Sequence, residues 1–146
     1  MAKTQDFFSD AEKDAIVKAI QAAEKNTSGE IRVHLDKGSR KPAFERAKEV
    51  FVQLRMDETE LANGVLIYLD IEQHQFAIIG DKGINDLVPE NFWEKVRDTM
   101  QQGFKAGKFA EGLTEGIQLA GEQLQAYFPY MDGDKNELPD DISHGN

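Results

Sequence analysis

Within six positions, the run Gly80-Asp81-Lys82-Gly83-Ile84-Asn85-Asp86 carries the side-chain oxygens of Asp81, Asn85 and Asp86. Gly80 and Gly83 permit backbone geometry that other residues resist, so this acidic loop can gather its oxygens. Oxygen-only donors suit a hard cation. They favour calcium, with magnesium and manganese as alternatives, over zinc. Glu30, Asp57 and Asn63 add donors of the same class, so the candidate ligands are Glu30, Asp57, Asn63, Asp81, Asn85 and Asp86. Carboxylates brought together repel unless a cation or a proton intervenes. The alternative is that Glu30 and Asp81 are solvated loop residues and the glycines only make turns.

Strands must bring these residues together. Val65 to Leu69 is short and continuously apolar, as expected of a central strand covered on both faces. After a polar turn, 76–79 returns as the second arm of a hairpin. Glu30 to Leu35 alternates, with Ile31, Val33 and Leu35 on one side and Arg32 and His34 on the other, which predicts a half-buried strand with His34 exposed. If 30–35 lies parallel to 64–69 and 76–79 antiparallel to it, Glu30, Asn63 and Asp81 share one end of the sheet. Asp57, Glu58 and Thr59 fall there too. Asp70 closes the opposite end, ~20 Å away at strand rise.

Helical periodicity fills the rest. Ser9 and Glu12 have capping-box spacing, followed by an apolar face of Ile16, Val17, Ile20 and Ala23 as far as about Lys25. Pro42 can start a helix with Phe44, Ala47, Phe51 and Leu54 inward, and strand, helix, strand implies a right-handed parallel crossover. Pro89 is expected to open a helix with Phe92, Trp93, Val96 and Met100 inward, interrupted at Gly103 and Gly107. The last helix aligns Leu113, Ile117, Ala120, Leu124 and Phe128, and Gly112 and Gly116 would let another helix approach closely. The expected fold is a small Rossmann-like α/β sandwich, a central mixed sheet with helices on both faces.

Composition narrows the function. The chain has 146 residues, 40% of them hydrophobic, enough for one domain with a core. Its 17 basic and 27 acidic residues give a formal charge of −10, which disfavours nucleic acid and anionic lipid as partners. Cations or basic proteins fit better. Cysteine is absent, which excludes disulfides, thiol catalysis and thiolate metal sites. No signal peptide or membrane span is present as written, so a cytoplasmic protein, or one trimmed of its leader, is expected. A monomer is expected as well. The body is 1–128, and 129–146 reads as a mobile acidic tail that carries −4 of the formal charge.

Sharper motifs fail. Asp132, Asp134 and Asn136 begin like an EF-hand loop, but Glu137 replaces the needed glycine and Ser143 the bidentate glutamate. Gly80 to Gly83 matches a GxxG nucleic-acid clamp only in acidic surroundings, and Gly103 to Lys108 is one residue short of a P-loop. His34, His74 and His144 lack zinc spacing, no Ser-His-Asp arrangement can be assembled, and Trp93 sits on an apolar helix face.

Ser28-Gly29-Glu30-Ile31, Asn63-Gly64-Val65-Leu66-Ile67, Ile79-Gly80-Asp81-Lys82-Gly83-Ile84 and 109–116 resemble the successive blocks of the TPM-domain family. The resemblance covers most of 9–128. It implies a modified Rossmann-like fold and an association with divalent cations, calcium among them; some plant members are described as acid phosphatases. Many members carry a secretory leader and a membrane anchor that this chain lacks as written. Three functions follow: a cation-binding module that presents a surface to a protein partner, a metal-dependent phosphatase with Asp57 or Glu58 as base, and a metal-free interaction domain. Only Arg55 and Lys82 lie near the proposed metal to hold a phosphate, which places binding ahead of catalysis.

Overall fold

A reciprocal capping box starts the first long helix. The Ser9 side chain accepts from the Glu12 N–H (3.1 Å) while the Glu12 carboxylate accepts from the Ser9 N–H (2.8 Å), so two donors that the helix leaves unpaired are satisfied. In the computed structural model, which describes residues 4–130 and 140–145, this helix is α2 (Asp10–Glu24), preceded by the single turn α1 (Thr4–Phe7). Then come β1 (Glu30–Asp36), α3 (Ala43–Gln53), a 3-10 turn at Met56–Glu58, β2 (Gly64–Asp70) and β3 (Gln75–Gly80). The short α4 (Lys82–Asn85), α5 (Glu94–Lys105), α6 (Phe109–Gln125) and β4 (Ser143–His144) complete the order.

The sheet has four strands in the order β3-β2-β1-β4. β1 and β2 are parallel from Glu30 opposite Gly64 to Asp36 opposite Asp70, and β3 returns antiparallel with Gly80 opposite Val65. This is the expected mixed sheet. A slip of one residue would exchange the two faces of a strand, so the different cores on the two sides of the sheet hold the register. Ile31, Val33, Leu35, Val65, Ile67 and Leu69 pack against α2, α5 and α6 in the larger core. On the other face Leu66, Tyr68 and Ala77 meet Ala47, Val50 and Phe51 of α3 together with Met56.

Several expectations change. β1 is buried on both faces, not half-buried, and His34 is only 4% exposed. The cause is β4, which runs parallel to β1 with Ser143 opposite His34. An edge strand left bare would present unpaired backbone groups, and here the Gly145 N–H donates to the Leu35 carbonyl (2.8 Å). Residues 140–145, expected within a mobile tail, therefore lie against the sheet, with Ile142 buried in the larger core. The EF-hand-like run of Asp132, Asp134 and Asn136 lies outside the described residues.

The helices are adjusted in similar ways. Phe44 is 55% exposed beneath the Lys48 ammonium (4.7 Å), and the inward stripe of α3 is Ala47, Val50 and Phe51. Sequence spacing fixed the period of that stripe, whereas its phase followed the contacts with β2 and β3. α5 starts at Glu94 because 89–93 form turns, with the Phe92 N–H bonded to Pro89. It passes through Gly103, and the chain breaks direction at Gly107, whose φ of +74° suits glycine. The close helix approach expected at Gly112 is present: a Cβ on Gly103 would stand 2.6 Å from the Gly112 Cα. Among the described residues, no helix is long and apolar enough to cross a membrane.

Candidate cation site at one end of the sheet

Two backbone bonds gather the predicted residues. The Glu30 N–H donates to the Asn63 carbonyl (3.1 Å), and the Asp81 N–H donates to the Gly64 carbonyl (2.9 Å). Glu30, which begins β1, Asn63, which precedes β2, and Asp81, which follows β3, thus meet at one end of the sheet. Asn63 is fixed further: its N–H donates to the Thr59 hydroxyl (3.3 Å) and its side-chain amide to the Ser28 carbonyl (2.9 Å), which leaves Oδ1 as the remaining acceptor.

Asp81 caps α4. Its Oδ1 accepts from the Lys82 N–H (2.7 Å), while its Oδ2 is buried without a hydrogen-bond partner. A buried carboxylate oxygen with no donor is costly and calls for an explanation. Gly83 brings α4 close to the preceding loop, since a Cβ there would stand 2.5 Å from the carbonyl oxygens of both Leu61 and Ala62. Sequence reading did not point to those two carbonyls. No side-chain signal could have revealed them; only the positive φ of Ala62 (50°) marks the place.

Asn85, Asp86 and Asp57 are exposed. The Asn85 side chain donates to the Gly80 carbonyl (2.9 Å), Asp86 is an exposed residue at the end of α4, and Asp57 is exposed in the 3-10 turn. Among the described residues, no group of three or more His, Asp or Glu is placed to hold a metal ion. The donors at the sheet end are a mixture: the buried Glu30, the unpartnered Asp81 oxygen, the Asn63 amide and the nearby carbonyls. Oxygen-only chemistry and an orphaned carboxylate atom fit a hard cation.

A further acidic residue, one that sequence reading did not find, lies beside this end. Glu24, the last residue of α2, accepts from the Ile31 N–H (3.1 Å). Burial pushes its carboxyl up to about 9, helped by a hydrogen bond with Asp140 and by the charges of Asp140 and Glu30, against the opposing Ile31 N–H. Glu24 is therefore protonated at neutral pH. A carboxylate at a helix C-terminus stands at the unfavourable end of the dipole, and that placement was the available signal.

The opposite end is saturated. Asp70 accepts from the N–H groups of Gly38, Ser39, Glu72 and Gln73 at 2.8 to 3.0 Å. Asp36 accepts from the Tyr68 hydroxyl (2.7 Å), the Arg46 Nε (3.1 Å) and the Lys37 N–H (2.9 Å). Burial alone would raise Asp36, but these donors outweigh it and hold the carboxyl below its ordinary value. Carboxylates satisfied in this way close loops, and Asp70 stands apart from the candidate site as expected.

The family model described as TPM domain matches residues 1–123. Among solved structures, the chain is similar to the BA42 protein from the psychrophilic bacterium Bizionia argentinensis, at 52% identity and a TM-score of 0.92, over 99% of this chain and 100% of that one. The N-terminal domain of a P. gingivalis protein is 21% identical with a TM-score of 0.68, over 83% of this chain and 78% of that one. An N-terminal domain from Corynebacterium glutamicum is 12% identical with a TM-score of 0.63, over 93% and 80%. These last two share the fold alone. None of the curated proteins matches.

Proposed function

The chain belongs to the TPM domain family, and from that premise we propose that it is a divalent-cation-binding module, with calcium as the first candidate ion and magnesium and manganese as alternatives. The observation that supports this reading most is the buried Asp81 Oδ2, which lacks any protein donor at the sheet end that also carries buried Glu30 and Asn63. Glu30, Asn63 and Asp81 would hold the ion, with Asp57, Asn85 and Asp86 contributing from the adjoining loops. A bound cation supplies the positive charge that would satisfy Asp81 Oδ2 and offset repulsion between the carboxylates. Ordering of the loops at 57–63 and 81–86 would then present a surface to a protein partner.

Binding stands ahead of catalysis for an electrostatic reason. Transfer of a phosphoryl group needs cationic donors on the anion, and Arg55 and Lys82 are both exposed. A backbone NMR titration with calcium and then magnesium tests the proposal. Saturable shifts concentrated at the amides of Glu30, Asn63 and Asp81 are the expected result. Shifts that never saturate, or that centre on the Asp36 and Asp70 end, would overturn it and favour the metal-free interaction domain.

A further inference from the structure

Two large apolar side chains stand exposed on abutting segments at the end of the sheet that carries Asp81. Leu61 is 50% exposed and Leu87 58%. Gly83 seats α4 directly on the carbonyls of Leu61 and Ala62. Helical turns run on past α4, with the Asp86 N–H donating to the Lys82 carbonyl (3.0 Å) and the Val88 N–H to the Ile84 carbonyl (3.1 Å). Residues four apart in such turns share a side, so Leu87 emerges one turn beyond Gly83 on the side that meets 61–62. Ala62 holds a positive φ of 50°, which alanine adopts at a cost, and this fixes the direction of the chain just after Leu61. A single exposed leucine is ordinary, whereas two on abutting segments make a patch.

The rim of the patch is acidic. Segments 55–62 and 81–90 carry Asp57, Glu58, Glu60, Asp81, Asp86 and Glu90 against Arg55 and Lys82 alone. All of these acidic residues except Asp81 are exposed. Their like charge opposes pairing of this face with a second copy of itself and contact with anionic lipid, and it attracts cationic side chains.

We propose that Leu61 and Leu87 form the apolar floor of a docking surface for a basic amphipathic helix of a partner protein, whose apolar side chains pack on the two leucines while its lysines or arginines meet the acidic rim. This names the partner chemistry for the loops at 57–63 and 81–86, and it rests on the reading of those loops as a surface that faces a protein. Charge complementarity decides the choice of partner. An amphipathic helix offers apolar side chains on one face and cationic ones beside them, which is the pattern that this floor and rim require. Apolar contact at the centre supplies affinity, and the charges around it steer and select.

The test follows the amide shifts of the full chain in calcium as a peptide of three Lys-Leu-Ala-Lys repeats is added. The leucines of that peptide recur every four residues and share one helix face. Saturable shifts centred on Leu61, Gly83 and Leu87 are expected, and they should need more peptide as salt is raised. Leu61→Ser and Leu87→Ser, both at exposed positions, should each weaken the peptide about tenfold while the calcium shifts at Asn63 and Asp81 stay. The same peptide with Glu in place of Lys should not bind. Calcium shifts without peptide shifts would overturn the proposal, as would peptide binding that both serine variants leave unchanged. Peptide shifts at Leu61 and Leu87 without calcium shifts would instead overturn the cation reading and support the docking surface. Concentration-dependent shifts at the two leucines without peptide would assign the patch to a second copy, and shifts there on adding phosphatidylcholine vesicles would assign it to a membrane; either result overturns the proposal.

Discussion

The Asp81 N–H donates to the carbonyl of Gly64 at 2.9 Å, and this single bond fixes the start of α4 against the start of β2. It holds the Asp81 carboxylate over the end of the sheet. One of its oxygens caps the helix and the other is buried and unpartnered.

A cation at this position should stabilise the fold. Calcium at 100 times its dissociation constant should raise the unfolding free energy by ~2.7 kcal/mol if it binds only the native state. Asp81→Asn should remove most of that gain, and Asp132→Asn should leave it nearly intact. Thermal unfolding with and without calcium reads both; equal losses from the two substitutions would mean that the site lies elsewhere.

Catalysis should be slow or absent. A phosphate dianion near Glu30, Asp57, Glu58, Asp81 and Asp86 meets negative charge that a lone cation only partly offsets. Protein saturated with calcium, magnesium or manganese should hydrolyse an aryl phosphate no faster than Asp81→Asn from pH 5 to 8. A metal-dependent rate that vanishes in a folded Asp81→Asn variant would establish the phosphatase instead.

Glu24 and His34 make stability depend on pH in opposite senses. The Glu24 carboxyl is raised from 4.5 to about 9, so its contribution is fully present below 4.5 and is lost as pH rises toward 9. Burial lowers His34 from 6.5 to about 4, so its contribution is present above 6.5 and is lost as pH falls toward 4. Denaturant midpoints measured from pH 4 to 9 should therefore pass through a maximum. Because the two groups oppose each other between pH 4.5 and 6.5, Glu24→Gln should flatten the alkaline side and steepen the acid side; an unchanged alkaline slope would place the titration on another group.

The crossing of α5 and α6 should be intolerant of a methyl group. Gly103→Ala would put its Cβ 2.6 Å from the Gly112 Cα, a backbone atom that cannot move aside, and should cost ~1–3 kcal/mol. Gly107→Asn is the contrast, because nothing lies within 4 Å of a Cβ there and asparagine tolerates the positive φ. Similar urea midpoints for the two variants would show that the helices part without strain.

The local elements and their pairing were determined by the sequence itself. Apolar continuity from Val65 to Leu69, alternation from Glu30 to Leu35 and the Ser9 capping box are local properties, and the strands they mark pair in the mixed sheet that brings Glu30, Asn63 and Asp81 to one end. Tertiary structure decided what only distant segments can supply. The burial of His34 depends on Ser143, the raised Glu24 carboxyl on its burial and then on Asp140, and the phase of the α3 stripe on β2 and β3. In each case the partner lies far along the chain or on another element, so no local period encodes it. Solvation and charge are set by whatever the folded chain places beside a group, which is why the carboxylates could be found in sequence while their partners could not.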